Sequence, residues 1–154
     1  MPKKAAYVAS IVLLVAVFGV ATLQYRLPIG PIVLLLGLLP AAGLLLARRS
    51  FKQATPDMIF GAIDTALLTI PALWGGVVFG VAGAIAGGVI GDSLTDAVPG
   101  FVEGGVAEWL RAKGIEASRE PVTTALGKMA GCLLGSGLVL TIALLLLGIQ
   151  PSFA

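Results

Sequence analysis

The chain has 154 residues, of which 58% are hydrophobic and 12% charged, and its mean hydropathy is +1.04. Soluble domains are about a quarter charged, so this composition excludes an ordinary water-soluble domain and indicates an integral membrane protein. The sequence has no histidine and a single cysteine, Cys132, so it lacks the commonest metal ligand and cannot form an intrachain disulfide. The net charge of +2 is spread along the chain without a patch that would indicate nucleic-acid binding.

The first two apolar runs are each close to the roughly 20 residues that cross a bilayer as a helix. They predict spans at 5–24 and 30–47, which make up an N-terminal region at 1–50. The first run follows a basic start. Because its length approaches that of a full span, we predict an uncleaved signal-anchor rather than a cleaved signal peptide.

Residues 58–98 are too many for one span and suit two. The motif PALWGG, at 71–76, combines proline, glycines and a tryptophan of the kind found at membrane interfaces. We therefore predict a break at 71–76 that separates a third span at 58–72 from a fourth at 76–98.

Capping residues mark the start of two predicted helices. Thr55 followed by Pro56 predicts the start of the third span, with Thr55 as its N-cap. Ser118 predicts the start of the last helix, which should end near residue 148. The last three spans form a predicted core at 51–154, and the whole chain is predicted to be an all-α membrane protein with about five transmembrane helices.

Charge placement favours five spans over four. With a cytoplasmic N-terminus, five spans leave only Arg26 outside and put the other basic residues on the cytoplasmic side. Four spans, with one long tilted helix, would move Arg111, Lys113 and Arg119 outside. The four-span alternative stays open, but the positive-inside rule favours five spans.

Three aspartates lie within or near the third and fourth spans. Asp64, in the apolar segment FGAIDTALLTIP, lies about 9 Å inside the third span. Asp92 and Asp96 lie near the end of the fourth span and, being four residues apart, share a face. Asp64 and Asp92 should therefore lie at similar depth on adjacent antiparallel helices. Glu103 falls on the same stripe if the helix continues past Pro99.

Clustered carboxylates without clusters of histidine or cysteine suit hard cations with oxygen ligands, such as Ca²⁺, Na⁺ or Mg²⁺. A carboxylate in hydrocarbon is costly and usually marks an ion or proton path, and two neighbouring carboxylates repel unless a cation or proton lies between them. Hydroxyls that would complete the metal shell belong to Thr65, Ser93 and Thr95. The alternative stays open that Asp92 and Asp96 only mark the end of a helix in the headgroup zone.

Glycines recur every four residues in two series, Gly83, Gly87 and Gly91, and Gly127, Gly131 and Gly135. Such ridges let helix backbones approach closely in lipid, so the fourth and fifth spans are predicted to pack through them on each other or on a partner chain. Lys128 either extends its ammonium to the interface or pairs with an aspartate when the ion leaves. Cys132 is predicted to be a small packing residue.

Three segments, FGAIDT, GDSLTDAVPGFVEGG and ALGKMAGCLLG, resemble the shared core of the transmembrane-protein-65 family, in order and at similar spacing, over roughly residues 58–140. The resemblance implies a link to sodium-dependent calcium efflux, with which family members are associated at the mitochondrial inner membrane, where they are proposed Na⁺/Ca²⁺ exchangers. The positions that match the family pattern are Asp64, Asp96, Glu103, Gly127, Lys128 and Cys132. Asp92 and Thr65 stand where animal members have asparagine, so ion selectivity does not carry over.

These observations predict a secondary cation transporter that exchanges Ca²⁺ for Na⁺ as a homodimer in membrane lipid, without an organic cofactor. The predicted ion ligands are the carboxylates Asp64, Asp92, Asp96 and Glu103. The alternatives are a non-transporting scaffold or regulator of a separate transporter, and a channel. An enzyme is not expected, because the sequence shows no activated nucleophile and its GAIAGG is a helix-packing pattern. The compact chain without a transit peptide predicts a prokaryotic cell membrane.

Overall fold

The computed structural model describes residues 2–115 and 120–149, with side chains for all of these except 2, 97–104, 106 and 107. Within this part the regular structure is helical: α1 Pro2–Gln24, α2 Ile29–Leu36, α3 Leu38–Leu46, α4 Phe51–Ala112 and α5 Pro121–Leu146. Four helical stretches are long and apolar enough to cross a membrane, at Lys3–Gln24, Ile29–Leu46, Phe51–Asp96 and Pro121–Leu146. The predicted all-helical class is confirmed, and these helices are compatible with a multi-pass membrane protein.

The second predicted span is formed by α2 and α3, which meet at Gly37. Pro40 accounts for this interruption, because it has no N–H to donate to the carbonyl of Leu36, four residues earlier. Gly37 keeps helical dihedral angles, φ −61° and ψ −20°, and its N–H still reaches the Val33 carbonyl at 3.2 Å. The two helices therefore act as one interrupted span.

Helix α4 folds back on itself at Gly80, whose φ of 65° and ψ of −149° are readily adopted only by glycine. A Cβ added to Gly87 would lie 2.7 Å from the carbonyl carbon of Pro71. In an unbroken helix these two residues would be about 24 Å apart. We call residues 51–79 the outgoing arm and residues 81–112 the returning arm of this hairpin.

The break predicted at 71–76 is therefore wrong, since the chain reverses at Gly80 instead. Pro71 continues the outgoing arm and lies against the returning arm, where a Cβ on Gly91 would come within 2.7 Å of the proline ring. Proline is tolerated inside apolar helices when neighbouring helices support the freed backbone groups. The outgoing arm consequently reaches residue 79, beyond the predicted end of the third span at 72.

The predicted start of this helix is also wrong. Ser50, not Thr55, is the N-cap, and its hydroxyl accepts a hydrogen bond from the Gln53 N–H at 3.4 Å. Thr55 already lies inside the helix, where its hydroxyl donates to the Phe51 carbonyl at 2.8 Å. Both serine and threonine favour N-cap positions, so the local sequence offered two candidates and the Pro56 signal favoured the wrong one.

Both glycine series face the outgoing arm. Gly127, Gly131 and Gly135 of α5 lie in turn against Ala54, Met58 and Ala62. Gly83, Gly87 and Gly91 of the returning arm lie in turn against Gly75, Pro71 and Leu68. The residue pairs show that α5 runs parallel to the outgoing arm and that the returning arm runs antiparallel to it. Of the two predicted partners for these ridges, packing of the fourth and fifth spans on each other is wrong, and the outgoing arm takes the place predicted for a partner chain. A ridge reveals close approach but not which backbone approaches.

One end of the bundle is tied together by Glu120, which lies at the N-cap of α5. Its carboxylate Oε1 is 2.7 Å from the Lys4 ammonium of α1 and 3.0 Å from the Arg49 guanidinium, which follows α3. The predicted cap at Ser118 lies outside the described residues. We call this the basic end, because it also holds several other cations: Lys3, Arg48 and Lys52.

The buried core is small and also lies towards the basic end; its members are Ile11, Leu44, Ala54, Val122 and Leu126. Many other large apolar side chains are exposed, such as Leu13 at 65% and Val81 at 75%. Exposure on this scale is unusual in a water-soluble monomer and suits helices whose solvent is lipid.

Glu120 gives a prediction about acid stability. Its pKa is lowered chiefly by the hydrogen bond from Lys4, and the Thr123 hydroxyl and the charge of Arg49 lower it further, while burial opposes the shift. Because the folded pKa lies below the unfolded value of about 4.3, the stabilisation is present above about pH 4 and is lost as pH falls through the folded pKa. Glu120→Gln should lower the free energy of unfolding by about 1 kcal/mol at pH 7 and flatten this acid dependence.

Thermal unfolding of the purified protein in detergent, scanned from pH 7 to pH 3, measures both effects. Glu108→Gln is the matched control, because it makes the same change at an exposed glutamate of the returning arm. Equal losses of stability in the two variants would contradict a specific role for Glu120.

Candidate functional site

Asp64 is half-buried on the outgoing arm, 16 residues or about 24 Å before the bend at Gly80. The adjacent Thr65 hydroxyl lies 2.7 Å from the Gly61 carbonyl and 2.8 Å from the Cys132 carbonyl of α5. The hydroxyl proton is thus donated to backbone carbonyls, while the lone pairs of the Thr65 hydroxyl oxygen stay available to a ligand. Thr65 links the outgoing arm to α5 one residue after Asp64.

Thr95 is buried, at 3% exposure, and its hydroxyl donates to the Asp92 carbonyl at 3.0 Å. It lies four residues after Gly91, the last of the returning-arm glycines that face the outgoing arm, so it continues their ridge. Because Leu68 lies opposite Gly91, the antiparallel register places Thr95 level with Asp64. The hairpin thus brings a buried hydroxyl to the level of its half-buried carboxylate.

Asp92 and Asp96 are both exposed. The same register places Asp92 level with Leu67 and Asp96 level with Ile63, so both carboxylates lie within about 5 Å of the level of Asp64. Asp92 is 12 residues, or about 18 Å, beyond the bend at Gly80. It therefore lies nearer to the turn of the hairpin than the predicted break at 71–76 would have placed it.

The two exposed aspartates lie on the outer face of the returning arm. This face is otherwise apolar near them, with Ile85 at 63% and Val89 at 64% exposure. Ser93 is exposed on the same face, and its hydroxyl donates to the Val89 carbonyl at 3.0 Å. We call the face defined by these five residues the acidic outer face.

Among the described side chains, no group of three or more histidines, cysteines, aspartates or glutamates is placed to hold a metal ion. Glu103 belongs to α4, which does continue past Pro99, but its side chain lies outside the described ones. Within one chain the helices bring Asp64 to the level of Thr95, while Asp92 faces outward. The four-carboxylate metal site therefore stays a prediction.

Asp57 is a polar residue that the sequence reasoning missed as a site candidate. It is half-buried, its carboxylate takes a hydrogen bond from Thr124 of α5, and the charge of Lys128 acts on it. Its Oδ2 atom is buried and has no hydrogen-bond partner in the described part of the chain. The seven-residue spacing from Asp64 puts both carboxylates on one face of the arm, but an acidic residue just after a predicted N-cap is also an ordinary helix-start signal.

Cys132 is half-buried where α5 meets the outgoing arm. A Cβ on Gly61 would lie 3.1 Å from its Sγ atom and 2.5 Å from the Lys128 carbonyl, so only glycine allows this approach. The charges of Asp64 and Lys128 both act on this cysteine. Lys128 is exposed, and its charge acts on the Asp57 carboxylate.

No family model, curated protein or solved structure matches this chain. The class that the fold defines is an all-helical protein with helices suited to several membrane crossings. The resemblance to the transmembrane-protein-65 family stays a prediction.

Proposed function

We propose that this chain is a secondary cation transporter that exchanges Ca²⁺ for Na⁺ across a prokaryotic plasma membrane. The observation that carries the proposal is the common level of three carboxylates, Asp64, Asp92 and Asp96, within the long apolar stretch Phe51–Asp96. Carboxylates in hydrocarbon usually mark an ion or proton path, and neighbouring ones need a cation or a proton between them.

The proposed topology has five spans with a cytoplasmic N-terminus: α1, then α2 with α3, the outgoing arm, the returning arm and α5. The basic end faces the cytoplasm in this arrangement, as the positive-inside rule requires. The bend at Gly80 faces the other side, and the exposed Trp74 nearby suits that interface. The alternating directions of the arms and α5 support this order.

In the proposed site the ion is held by oxygen atoms alone, as hard cations prefer. Asp64 supplies the inner carboxylate, with the hydroxyl oxygens of Thr65 and Thr95 beside it. The acidic outer face supplies Asp92 and Asp96 with the Ser93 hydroxyl, and Glu103 is the proposed fourth carboxylate. Repulsion between these carboxylates when empty would favour exchange, because one ion leaves as another enters.

A homodimer completes this proposal. Asp92 and Asp96 lie on an exposed apolar face where lipid tails cannot solvate them, so a second copy covering that face would remove them from lipid. Covering the acidic outer face would also bring the acids of two chains together around an ion. The glycine ridges are used within the chain, so the proposed interface centres on Ile85 and Val89 instead. A strictly monomeric state in native mass spectrometry of the purified protein would contradict this part.

The resemblance of the segments around Asp64, Asp96 and Lys128 to the transmembrane-protein-65 family supports sodium-coupled exchange of a cation, and Ca²⁺ is the ion that we propose. Asp92, where animal members have asparagine, adds a carboxylate to the site. An extra negative charge favours divalent over monovalent ions, and it changes the charge moved in each cycle.

The test is uptake of ⁴⁵Ca²⁺ by proteoliposomes that contain the purified protein, with and without an opposing sodium gradient. We expect uptake that depends on the sodium gradient and is absent from protein-free liposomes. Uptake that is the same with and without the sodium gradient would indicate a channel. No uptake under any gradient would overturn the transporter proposal and favour a scaffold or regulator of a separate transporter.

A further inference from the structure

A second carboxylate position exists on the outgoing arm, nearer the basic end than Asp64. Asp57 lies seven residues before Asp64, about 10 Å along the same face. It stands directly against α5, since a Cβ on Gly127 would lie 3.3 Å from the Asp57 Cβ. Thr124 adds a hydroxyl from α5, so oxygen ligands from two helices meet there.

The carboxylate of Asp57 is only partly used by the protein. Its Oδ2 atom is buried and has no hydrogen-bond partner among the described residues. A buried carboxylate oxygen without a partner is costly, and a bound cation would remove that cost. The charge of Lys128, which follows Gly127 in α5 and is exposed, acts on this carboxylate.

We propose that Asp57 and Thr124 form a second cation position between the basic end and Asp64, and that the Lys128 ammonium competes with the ion for it. This inference rests on the proposed transport function, because it adds a step to the path of the same ion. Lys128 is attached to α5 by a flexible stem, so its ammonium can withdraw towards the surface when a metal ion arrives.

Competition by the Lys128 ammonium explains how Asp57 and Asp64 are compensated when no metal ion is bound. With Lys128 near Asp57, the face that carries Asp57 and Asp64 has a compensating positive charge before any ion binds. The charge of Lys128 also reaches Cys132, on which Asp64 acts, so its field extends towards the inner carboxylate. Lys128 therefore sets the affinity for ions that enter from the basic end.

Equilibrium binding of ⁴⁵Ca²⁺ to the full-length protein in detergent, by scintillation proximity, tests the inference without requiring transport. Lys128→Met should lower the half-saturating Ca²⁺ concentration about tenfold, because it removes a like charge beside the ion. Asp57→Asn should raise that concentration about tenfold, and in the Asp57→Asn background Lys128→Met should have no further effect. Lys52→Met, at an exposed lysine of the same end, is the control and should match the wild type.

Wild-type affinity in Asp57→Asn would overturn the inference, as would an equal effect of Lys128→Met in both backgrounds. If Asp57→Asn does not fold, the comparison of Lys128→Met with Lys52→Met decides, and equal affinities overturn the inference. Absent flux with the expected binding pattern would reject the transporter proposal while keeping the Asp57 position. Sodium-dependent flux with unchanged binding in Asp57→Asn would do the reverse.

Discussion

Asp64→Asn is expected to lower sodium-dependent ⁴⁵Ca²⁺ uptake about a hundredfold in proteoliposomes. The substitution keeps the shape of the side chain and removes the charge that attracts and ligates the ion, a loss of about 3 kcal/mol. Stability should not fall with it. A half-buried neutral amide costs less to desolvate than a carboxylate, so the unfolding temperature should stay level or rise.

Uptake and unfolding temperature together distinguish a loss of ion binding from a loss of folding. If Asp64 were needed only for packing, uptake and unfolding temperature would fall together. Glu108→Gln removes the same charge from an exposed position and should leave both readouts unchanged. Asp92→Asn provides the second arm, and retained sodium-dependent uptake in both Asp64→Asn and Asp92→Asn would reject the proposed ligand set.

The helices themselves could be predicted from hydropathy, because lipid demands about 20 apolar residues for each crossing. The predicted first span at 5–24 lies within α1, Pro2–Gln24, and the predicted last helix ends two residues beyond Leu146 of α5. The bend was harder to place, since seven glycines lie between residues 75 and 91 and any of them tolerates unusual dihedral angles. Only Gly80 takes up a positive φ there, and this depends on how the two arms pack.

The packing partners of the glycine ridges could not be predicted for a related reason. A glycine every four residues records a backbone that comes close, and it carries no information about the other helix. The same lack of information about packing limited the prediction of the site. Sequence reasoning placed Asp64 and Asp92 at similar depth, and the register agrees to within about 5 Å, but which face each occupies depends on packing. Asp57 was missed because it follows a predicted N-cap at Thr55, where an acidic residue is an ordinary feature of a first helical turn.

Gly131→Ala is expected to cause the largest loss of stability. The new methyl group would overlap the Met58 carbonyl oxygen and lie 2.7 Å from its carbonyl carbon, and both are backbone atoms of the outgoing arm. No side chain can rotate away, so α5 and the arm must separate. We expect the free energy of unfolding to fall by about 3 kcal/mol, measured by thermal unfolding in detergent.

The control for that variant is Gly19→Ala, at a helical glycine of α1 where an added Cβ meets nothing within 4 Å. It should stay within about 1 kcal/mol of the wild type, because only helix propensity changes. Comparable stability of the two variants would show that α5 does not depend on close backbone contact at Gly131.

Close packing at Gly131 and ion chemistry at Asp64 are connected through one hydrogen bond. Cys132 follows Gly131, and its carbonyl accepts from the Thr65 hydroxyl at 2.8 Å, next to Asp64. A separation of about 1 Å between the helices would stretch this bond beyond hydrogen-bonding distance. Gly131→Ala should therefore reduce uptake and stability together, because it displaces the helices that hold the site. Asp64→Asn should reduce uptake alone, because it removes the charge of the site and leaves the helices in place.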